Sequence, residues 1–459
     1  MNPEPADQSG PSEIPPVSNA APVSLPTILP PALPPVLPSP QKKGTPAAVI
    51  AICAAGGVLF LAVAAVAVAL LTGAAGPVTR SAKPDRGVPA SAAATPEASG
   101  NSEPGVTYRN ERVPSEPWSI HILKIDRSRK ELAFFAPHAK GKVLGVSLLA
   151  DQARSVPSAL GHAIAGVNGD FYLRDNPMYA GDPRGLHIVN GELMSAPDTV
   201  CTWFDSGNNP HLDEVKGDFK VTWADGKTSP FGFNERRGTN RLVLYTPSYG
   251  PSTRASSGRE LVLEKQGEGS WLPIEAGATY RARVREIRNE GNSLLSAGSL
   301  VLSIPPNLLA SLPELEIGAK LELSTATTPS MAGVKVAIGG GPALIRDGKP
   351  FSLRTPPPGS ASDWSQRSKY ERHPRAAVGW SATHVYLVIV DGRQPGLSSG
   401  MKLAELAEYL SQLGCTDAMN LDGGKSAQMW MNGRIMNSPC QGEDTVANSL
   451  LVLRKPDSR

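Results

Sequence analysis

Four short stretches of the chain place glycine at the end of an apolar run, and three of them combine it with a polar side chain. Each glycine permits positive φ and lets a ligand approach the backbone, and each polar group stands where a strand meets a loop. One Asp-Gly pair is usually a plain turn, but the recurrence of the pattern predicts a shared cleft. The four stretches are Asn168-Gly169-Asp170, Gly339-Gly340-Gly341, Asp391-Gly392 and Asp422-Gly423-Gly424.

A fifth candidate is Arg375, which enters an apolar run in RHPRAAVGW. A guanidinium in such surroundings needs a carboxylate or a phosphate, and its planar fork suits either. We therefore expect an anionic partner for Arg375, with a structural ion pair as the alternative. His187 and His373 are weaker candidates, because a histidine near a motif is usually a satisfied surface or core residue.

The secondary-structure elements that must position these residues are mostly β-strands, with few helices. HVYLVIVDG and AAVGW are apolar runs without alternation, which predicts strands covered on both faces. VSLLADQARSVPSAL has helical spacing, and KLAELAEYLSQLG carries a leucine stripe with Gly414 at its C′ position. The sequence predicts an α+β fold, with a mixed β-sheet core, few helices and an antiparallel β-rich insertion at 218–331.

Composition divides the chain into four parts. Residues 1–46 are rich in Pro, Ala and Ser, which predicts a disordered arm. Residues 47–72 carry about 25 uncharged, mostly apolar positions, enough for a helix to span a hydrocarbon core of about 30 Å. Residues 73–105 are predicted to form a flexible stalk, and residues 106–459 are predicted to form the folded domain.

The predicted membrane helix sets an expectation for localisation. Lys42 and Lys43 stand directly before the span, whereas the basic residues after it, Arg80, Lys83 and Arg86, lie further away. This distribution leans towards a cytoplasmic N-terminus. We therefore expect a single-pass membrane protein with an extracytoplasmic C-terminal domain.

Bulk composition excludes some partners. The formal net charge is +3 and no basic stripe is interleaved with aromatic residues, so a nucleic-acid partner is not indicated. The cysteines form no CxxC pair, which gives no support to zinc or thioredoxin chemistry. Cys415 and Cys440 flank the Asp422 stretch and either pair with each other or remain buried free thiols.

Several motifs, taken in their order along the chain, resemble the phosphodiester glycosidase domain family. The most specific are the Pro-Arg-x-Ala-x-Gly piece within RHPRAAVGW and the Leu-Asp-Gly-Gly-x-Ser piece within AMNLDGGKSAQMWMNG. The resemblance covers about 117–453. The others are GVNGDFY, PRGLHIVNGEL, LVLYTPSYGPST, AIGGGPALIRDGKP and VYLVIVDGRQPGLSSGM.

The resemblance implies a reaction, the cleavage of a sugar from a sugar-1-phosphodiester, and a set of pocket residues. It implies catalytic roles for Asp170, Arg375, Asp391 and Asp422, and substrate or phosphate binding by Asn168, Arg184, Gly423, Gly424 and Ser426. The chain departs from the family pattern at Lys425, where glycine is common, and at Asp444-Thr445, where a basic residue is common.

The implied chemistry assigns roles within that set. The leaving phosphomonoester is a stable anion, so little general-acid help is required. Arg375 would hold the phosphate, together with the N–H groups of Gly423 and Gly424. Asp422 or Asp170 would act as base or nucleophile, and Ser426 would bind a phosphate oxygen or orient Asp422.

Two functional classes and one cofactor question stay open at this point. The first class is a membrane-anchored extracytoplasmic glycosidase acting on phosphodiester linkages in envelope glycan or exopolysaccharide. The second is a non-catalytic glycan-binding protein of envelope or exopolysaccharide assembly. No cofactor is required by the reaction, but close aspartates are also ligands for Ca²⁺ or Mg²⁺.

Overall fold

The computed structural model describes residues 102–350 and 368–456. The predicted arm and membrane helix, and the predicted stalk up to residue 101, lie outside these residues. Within the described residues no helix has the length and apolar character needed to cross a membrane. The first strand falls in the last residues of the predicted stalk, because Ser102–Glu103 pairs with the strand that follows it.

The strands are numbered in chain order. Those before the barrel described below are β1 (Ser102–Glu103), β2 (Val106–Val113), β3 (Trp118–Asp126), β4 (Leu132–Phe135), β5 (His162–Asn168), β6 (His187–Val189), β7 (Glu192–Ser195), β8 (Val200–Phe204) and β9 (Pro210–Glu214). Those of the barrel are β10 (Lys216–Thr222), β11 (Thr228–Phe233), β12 (Leu242–Tyr245), β13 (Arg259–Lys265), β14 (Thr279–Arg288), β15 (Leu300–Ile304) and β16 (Lys320–Thr328). Those after it are β17 (Val336–Gly339), β18 (Ala343–Arg346), β19 (Lys349–Pro350), β20 (Arg375–Trp380), β21 (His384–Val390), β22 (Asp417–Leu421), β23 (Met429–Met431), β24 (Arg434–Ile435) and β25 (Ser449–Arg454).

The described part of the chain contains two α-helices, α1 (Leu149–Arg154) and α2 (Leu403–Gln412). Helix α2 was predicted from its leucine stripe, and Gly414 adopts φ 84° just beyond its end, as a C′ glycine does. Helix α1 is shorter than the predicted helical stretch, which runs on through Pro157 to a separate 3-10 turn at Ser158–Leu160. A proline cannot donate the backbone hydrogen bond that would have continued the helix.

The strands form an eight-stranded sheet, two five-stranded sheets and a closed seven-stranded barrel. The eight-stranded sheet has the order β1-β2-β3-β21-β20-β22-β18-β19, and one five-stranded sheet has the order β24-β23-β5-β25-β4. The other five-stranded sheet is β7-β6-β17-β8-β9, and the barrel is β10-β11-β12-β15-β13-β14-β16. A β-rich α+β fold with few helices is thus confirmed.

The prediction of a mixed core sheet is wrong for the eight-stranded sheet, where each pair of neighbouring strands is antiparallel. Strand β21, helix α2 and strand β22 do form a strand–helix–strand unit. However, β20 lies between the two strands and pairs antiparallel with both. The sequence shows the unit but not the strand inserted into it.

The eight-stranded sheet is covered on both faces. Along β20, Ala376 and Val378 pack into the core shared with β5 and β25, whereas Ala377 packs against helix α2 on the other face. This double burial explains the apolar runs without alternation. The predicted antiparallel β-rich insertion at 218–331 contains most of the barrel, which has its own buried core. The prediction is wrong for one strand pair, because β11 and β12 pair parallel, whereas the other pairs of the barrel are antiparallel.

Candidate active site

The ends of β5 and β22 meet at one place. Asn168 donates a hydrogen bond of 2.6 Å from Nδ2 to the carbonyl oxygen of Asp422, and the Asp422 N–H donates to the Gly169 carbonyl at 2.9 Å. The strands belong to different sheets, and these two bonds join them. The structure therefore brings together Asp170 and Asp422, the two carboxylates that the sequence marked as base or nucleophile.

Asp170 is the more deeply buried of the two, with 2% of its surface exposed. Its carboxylate accepts hydrogen bonds of 2.7 Å from the N–H groups of Phe171 and Gly185. Burial raises the pKa of Asp170 to about 7, and the negative charge of Asp422 adds to the rise. Near neutral pH this carboxyl group is therefore poised to hold or release a proton.

Asp422 is partly exposed, and its surroundings act on its pKa in opposite directions. Burial raises its pKa to about 6, while the nearby Ser426 hydroxyl, the charge of Arg174 and the Gly423 N–H act in the opposite direction. Ser426 Oγ itself is buried, and no described group lies at ordinary hydrogen-bonding geometry to it. The hydroxyl therefore retains hydrogen-bonding capacity beside Asp422.

Two arginines supply positive charge to this pair of carboxylates. Arg184 lowers the pKa of both Asp170 and Asp422, and Arg174 lowers that of Asp422. Arg184 is placed beside them because its N–H donates to the Phe171 carbonyl at 3.0 Å, one residue from Asp170. Arg174 is ion-paired to Asp444 at 2.5 Å.

Sequence reasoning missed Arg174. The signal available was Asp444, an acidic residue at a position where the resembled family is often basic. The two residues lie 270 positions apart, so their pairing could not be read from spacing.

The structure gives Arg375 partners other than the predicted phosphate or carboxylate. It is 6% exposed, and its guanidinium donates to the carbonyl oxygens of Met401 at 2.8 Å, Ser368 at 2.7 Å and Glu371 at 2.8 Å. Burial lowers the pKa of Arg375 to about 10, and the positive charge of Arg393 adds to this. The guanidinium is used to tie backbone segments together, a role that neither alternative from the sequence included.

The predicted anion nest at Gly423 and Gly424 is also corrected. The Gly424 N–H donates to the Pro374 carbonyl at 2.9 Å, and the Gly423 N–H interacts with the Asp422 carboxylate. The Gly424 N–H is therefore bonded within the protein, and the Gly423 N–H stabilises the charged form of Asp422. Arg393 places positive charge beside this turn. A Cβ atom added at Gly424 would lie 3.3 Å from Arg393 Nη1.

Asp391 lies in a separate buried network. It is 1% exposed, and its carboxylate contacts His121 Nε2 at 2.9 Å and accepts hydrogen bonds from Ser119 Oγ, Asn437 Nδ2 and the Ser438 N–H, each at 3.0 Å. Burial alone would raise its pKa, but the bonds from His121, Asn437 and Ser119 bring it below the usual value. With four partners the carboxylate is satisfied, which is typical of a structural group.

Behind Asp170 lies an asparagine that was not singled out from the sequence. Asn448 accepts a hydrogen bond of 2.7 Å from the Asp170 N–H through Oδ1, and its Nδ2 is 3.3 Å from His187 Nδ1. Burial lowers the pKa of His187 to about 4, so this imidazole is neutral at physiological pH. His187 thus helps to hold the Asp170 turn and carries no charge to the site.

Two open questions from the sequence can be addressed within the described residues. No group of three or more His, Cys, Asp or Glu side chains there has an arrangement suited to a metal ion. Cys415 and Cys440 are free thiols, so of the two alternatives the unpaired one is observed.

Comparisons with known proteins agree with this picture at the level of family and fold. The family model for phosphodiester glycosidase matches residues 274–453, a segment that includes Asp422 but not Asp170. The SPbeta prophage-derived uncharacterized protein YomE of Bacillus subtilis (strain 168) is 29% identical over 115 residues. That match spans 25% of this chain and only 16% of the prophage protein.

Two solved structures share the fold. A hypothetical protein from Synechocystis has a TM-score of 0.60 at 21% identity, covering 76% of this chain and 62% of its own. A putative exported protein from Burkholderia pseudomallei has a TM-score of 0.55 at 21% identity, covering 73% of this chain and 74% of its own. Residues 274–453 of this chain match the phosphodiester glycosidase family, and the resemblance predicted from the sequence motifs is thereby confirmed.

Proposed function

We propose that this chain is a hydrolase that cleaves the bond between a sugar and the phosphate of a sugar-1-phosphodiester. The observation that carries the proposal is the pairing of Asp170 and Asp422 at two joined strand ends, with raised pKa values of about 7 and about 6, beside Arg174 and Arg184. Two neighbouring carboxyl groups with different pKa values are typical of a catalytic site. Such groups transfer protons or stabilise positive charge that develops in the transition state.

The roles within the site follow from exposure and charge. Asp422 is the more accessible and more acidic carboxylate, so it acts on the anomeric carbon or on the attacking water. Arg184 and Arg174 supply the positive charge for the phosphate, a role that was expected for Arg375. Ser426 offers its hydroxyl to a phosphate oxygen, and Asp170 keeps a proton near neutral pH, so the two carboxylates do not both repel the anion.

The place of action is part of the same proposal. Residues 47–72 would anchor the chain as a single membrane span with a cytoplasmic N-terminus, and the hydrolase domain would be extracytoplasmic. Its substrate would then be a phosphodiester-linked glycan of the envelope or an exopolysaccharide. The length and lack of charge of this stretch support the anchor.

The full chain should be assayed for sugar release from a panel of sugar-1-phosphodiesters. Asp422→Asn is expected to lower release by about 10³-fold, the size of effect typical of an acid–base group. The matched control is Asp417→Asn at the other end of β22, which should retain activity. Thermal unfolding of all three proteins would show whether lost activity reflects lost folding, and absence of release by the wild type across the panel would contradict the proposal.

A second candidate, a non-catalytic glycan-binding assembly protein, is favoured by one observation. The Arg375 guanidinium and the Gly424 N–H are already bonded within the protein, so two groups expected to stabilise the departing phosphate are occupied. In that case the wild type would bind sugar-1-phosphodiesters without turnover. Calorimetric titration beside the release assay separates the two candidates.

A further inference from the structure

Three large hydrophobic side chains are exposed within the described residues, and two of them lie at the same place. The three are Met178, Leu294 and Ile317, with exposed fractions of 55%, 71% and 69%. The Met178 carbonyl accepts a hydrogen bond from Arg254 Nη1, and Leu294 forms a β-bridge with Ser252, two residues before Arg254. A single exposed hydrophobic residue is normal on a protein surface, but two beside one arginine define a surface feature.

Arg254 is one of three arginines that meet at this place. Arg236 lies over the ring of Tyr179, with its Cζ 5.3 Å from the ring centre, and the Tyr179 hydroxyl donates to the Arg254 carbonyl at 3.2 Å. Arg237 donates from Nη2 to the carbonyl of Ser257, in the same segment as Arg254. We call this surface the basic-apolar patch and define it by Arg236, Arg237, Arg254, Met178 and Leu294.

The patch carries an excess of positive charge. Segments 235–241, 251–259 and 289–294 together contain five arginines and two glutamates. Glu235 is paired with Arg241 at 3.2 Å, which leaves Glu290 against the other four arginines. The formal net charge of the whole chain is only +3, so an excess of the same size is concentrated on this one surface. Such a concentration attracts an anionic partner.

The arginines retain capacity to bind that partner. Arg237 Nε and Nη1 have no hydrogen-bond acceptor among the described residues. Phosphate oxygens are acceptors that suit the planar fork of a guanidinium group.

The combination of arginine with exposed apolar side chains favours a bilayer surface as the partner. Guanidinium groups remain at the level of the headgroup phosphates, while apolar side chains enter the boundary between headgroups and acyl chains. A soluble polyanion would engage the arginines but leave Met178 and Leu294 in water. A bilayer that contains anionic lipid uses both parts of the patch.

The proposed anchor would keep the patch close to such a surface. About 30 residues, 73–101, separate the proposed span from the first described residue, and a flexible chain of this length has an r.m.s. end-to-end distance of about 30 Å. Because a short tether gives a high effective concentration, even a weak surface contact would be populated. This step rests on the proposed anchor, whereas the composition of the patch does not.

We propose that the basic-apolar patch docks the folded domain onto the surface of a bilayer that contains anionic lipid. The arginines bind headgroup phosphates, and the two exposed hydrophobic side chains enter the headgroup boundary. The loop that carries Met178 also carries Arg174, so docking would hold the candidate active site at the bilayer surface. The inference goes beyond the proposed hydrolase activity, and its test does not require turnover.

The test uses the full chain reconstituted in nanodiscs of phosphatidylcholine, with or without phosphatidylglycerol. Hydrogen exchange is measured for peptides that cover 175–180 and 289–295, and it should be slower in the discs with phosphatidylglycerol. Each arginine at an anionic surface contributes about fivefold to association, so Arg236→Gln combined with Arg254→Gln should weaken docking by about 25-fold and restore the faster exchange. Leu294→Ser changes an exposed side chain, so it should lower the protection without affecting folding.

Matched controls change the same residue types outside the patch. Ile317→Ser alters the third exposed hydrophobic residue, in the loop before β16, and Arg281→Gln alters an exposed arginine of β14. Both controls should keep the slower exchange in discs with phosphatidylglycerol.

Three results would overturn the inference. The first is equal exchange in the two kinds of disc, and the second is full protection in both patch variants at unchanged thermal stability. The third is stronger protection by soluble polyphosphate in neutral discs than by phosphatidylglycerol, which would assign the patch to an anionic polymer. If residues 47–72 do not insert, the proposed anchor fails, and flotation with vesicles of the two compositions then decides about the patch. Flotation only with the anionic vesicles would support the inference, and no flotation would overturn it.

Discussion

The side-chain amide of Asn168 donates a hydrogen bond of 2.6 Å to the carbonyl oxygen of Asp422, across 254 positions of sequence. The same asparagine accepts a hydrogen bond of 3.1 Å from the Gln428 N–H through Oδ1. It therefore holds both ends of the turn that carries Asp422 and Ser426. Asn168 is 1% exposed, so we assign it to positioning this turn, whereas the resemblance implied contact with substrate.

The paired carboxylates predict a bell-shaped dependence of kcat/KM on pH. Activity should rise through about pH 6 as Asp422 ionises, and fall above about pH 7 as Asp170 ionises and adds negative charge beside the phosphate. In Asp170→Asn the descending limb should disappear. A pH–rate profile of wild type and variant measures this, and a profile flat between pH 5 and 8 would show that neither carboxylate is coupled to the reaction.

Arg174 is expected to act on Asp422 through its charge. Its positive charge lowers the pKa of Asp422, so Arg174→Gln should move the ascending limb of the pH–rate profile to higher pH and raise KM. The matched control is Arg283→Gln, another ion-paired arginine, located on the barrel. An ascending limb that stays at the wild-type pH would mean that Arg174 serves only its ion pair with Asp444.

Arg375 is predicted to matter for stability rather than for chemistry. Arg375→Leu leaves the carbonyls of Met401, Ser368 and Glu371 without their guanidinium donor, which should lower the free energy of unfolding by about 3 kcal/mol. The control is Arg372→Leu, which removes a partly exposed ion-paired arginine and should cost at most about 1 kcal/mol.

Denaturant unfolding and specific activity of the folded protein check the Arg375 prediction together. Unchanged stability with lost activity in Arg375→Leu would return this residue to the role predicted from the sequence. Lost stability with retained activity would confirm the structural role.

Gly339 is predicted to be required for the position of Asp170. A Cβ at Gly339 would lie 2.4 Å from Asp170 Oδ2 and 2.7 Å from the Gly185 Cα, both too close for real contacts. Gly339→Ala should therefore lower the free energy of unfolding by about 2 kcal/mol through overpacking, and disturb the pH–rate profile. Gly238→Ala is the control, since a Cβ there meets nothing within 4 Å; equal stability of the two variants would show that the Asp170 loop tolerates displacement.

The sequence alone determined the features that depend on near neighbours in the chain. Asn190 and Gly191 have φ 49° and 90° and join β6 to β7, as the Asn-Gly turn signal predicts. Helix α2 was also predicted correctly from its leucine stripe, and strands β20 and β21 from their apolar runs. Backbone conformation and burial periodicity are set largely by residues within a few positions of each other.

Only the tertiary structure decided which groups surround the carboxylates of Asp170 and Asp422. Asp170 and Asp422 could be placed at strand ends, and Arg184 was expected beside them. The packing of the sheets decided that Arg174 also acts on Asp422 and that Arg375 bonds to backbone carbonyls. Strand order and the alternation of side chains between sheet faces determine which distant residues meet, and hydrogen bonds within the fold determine which polar groups remain free. Neither strand order nor the hydrogen bonds within the fold can be read from the local sequence, so the two carboxylates and Arg184 were predictable, whereas Arg174 and the backbone partners of Arg375 were not.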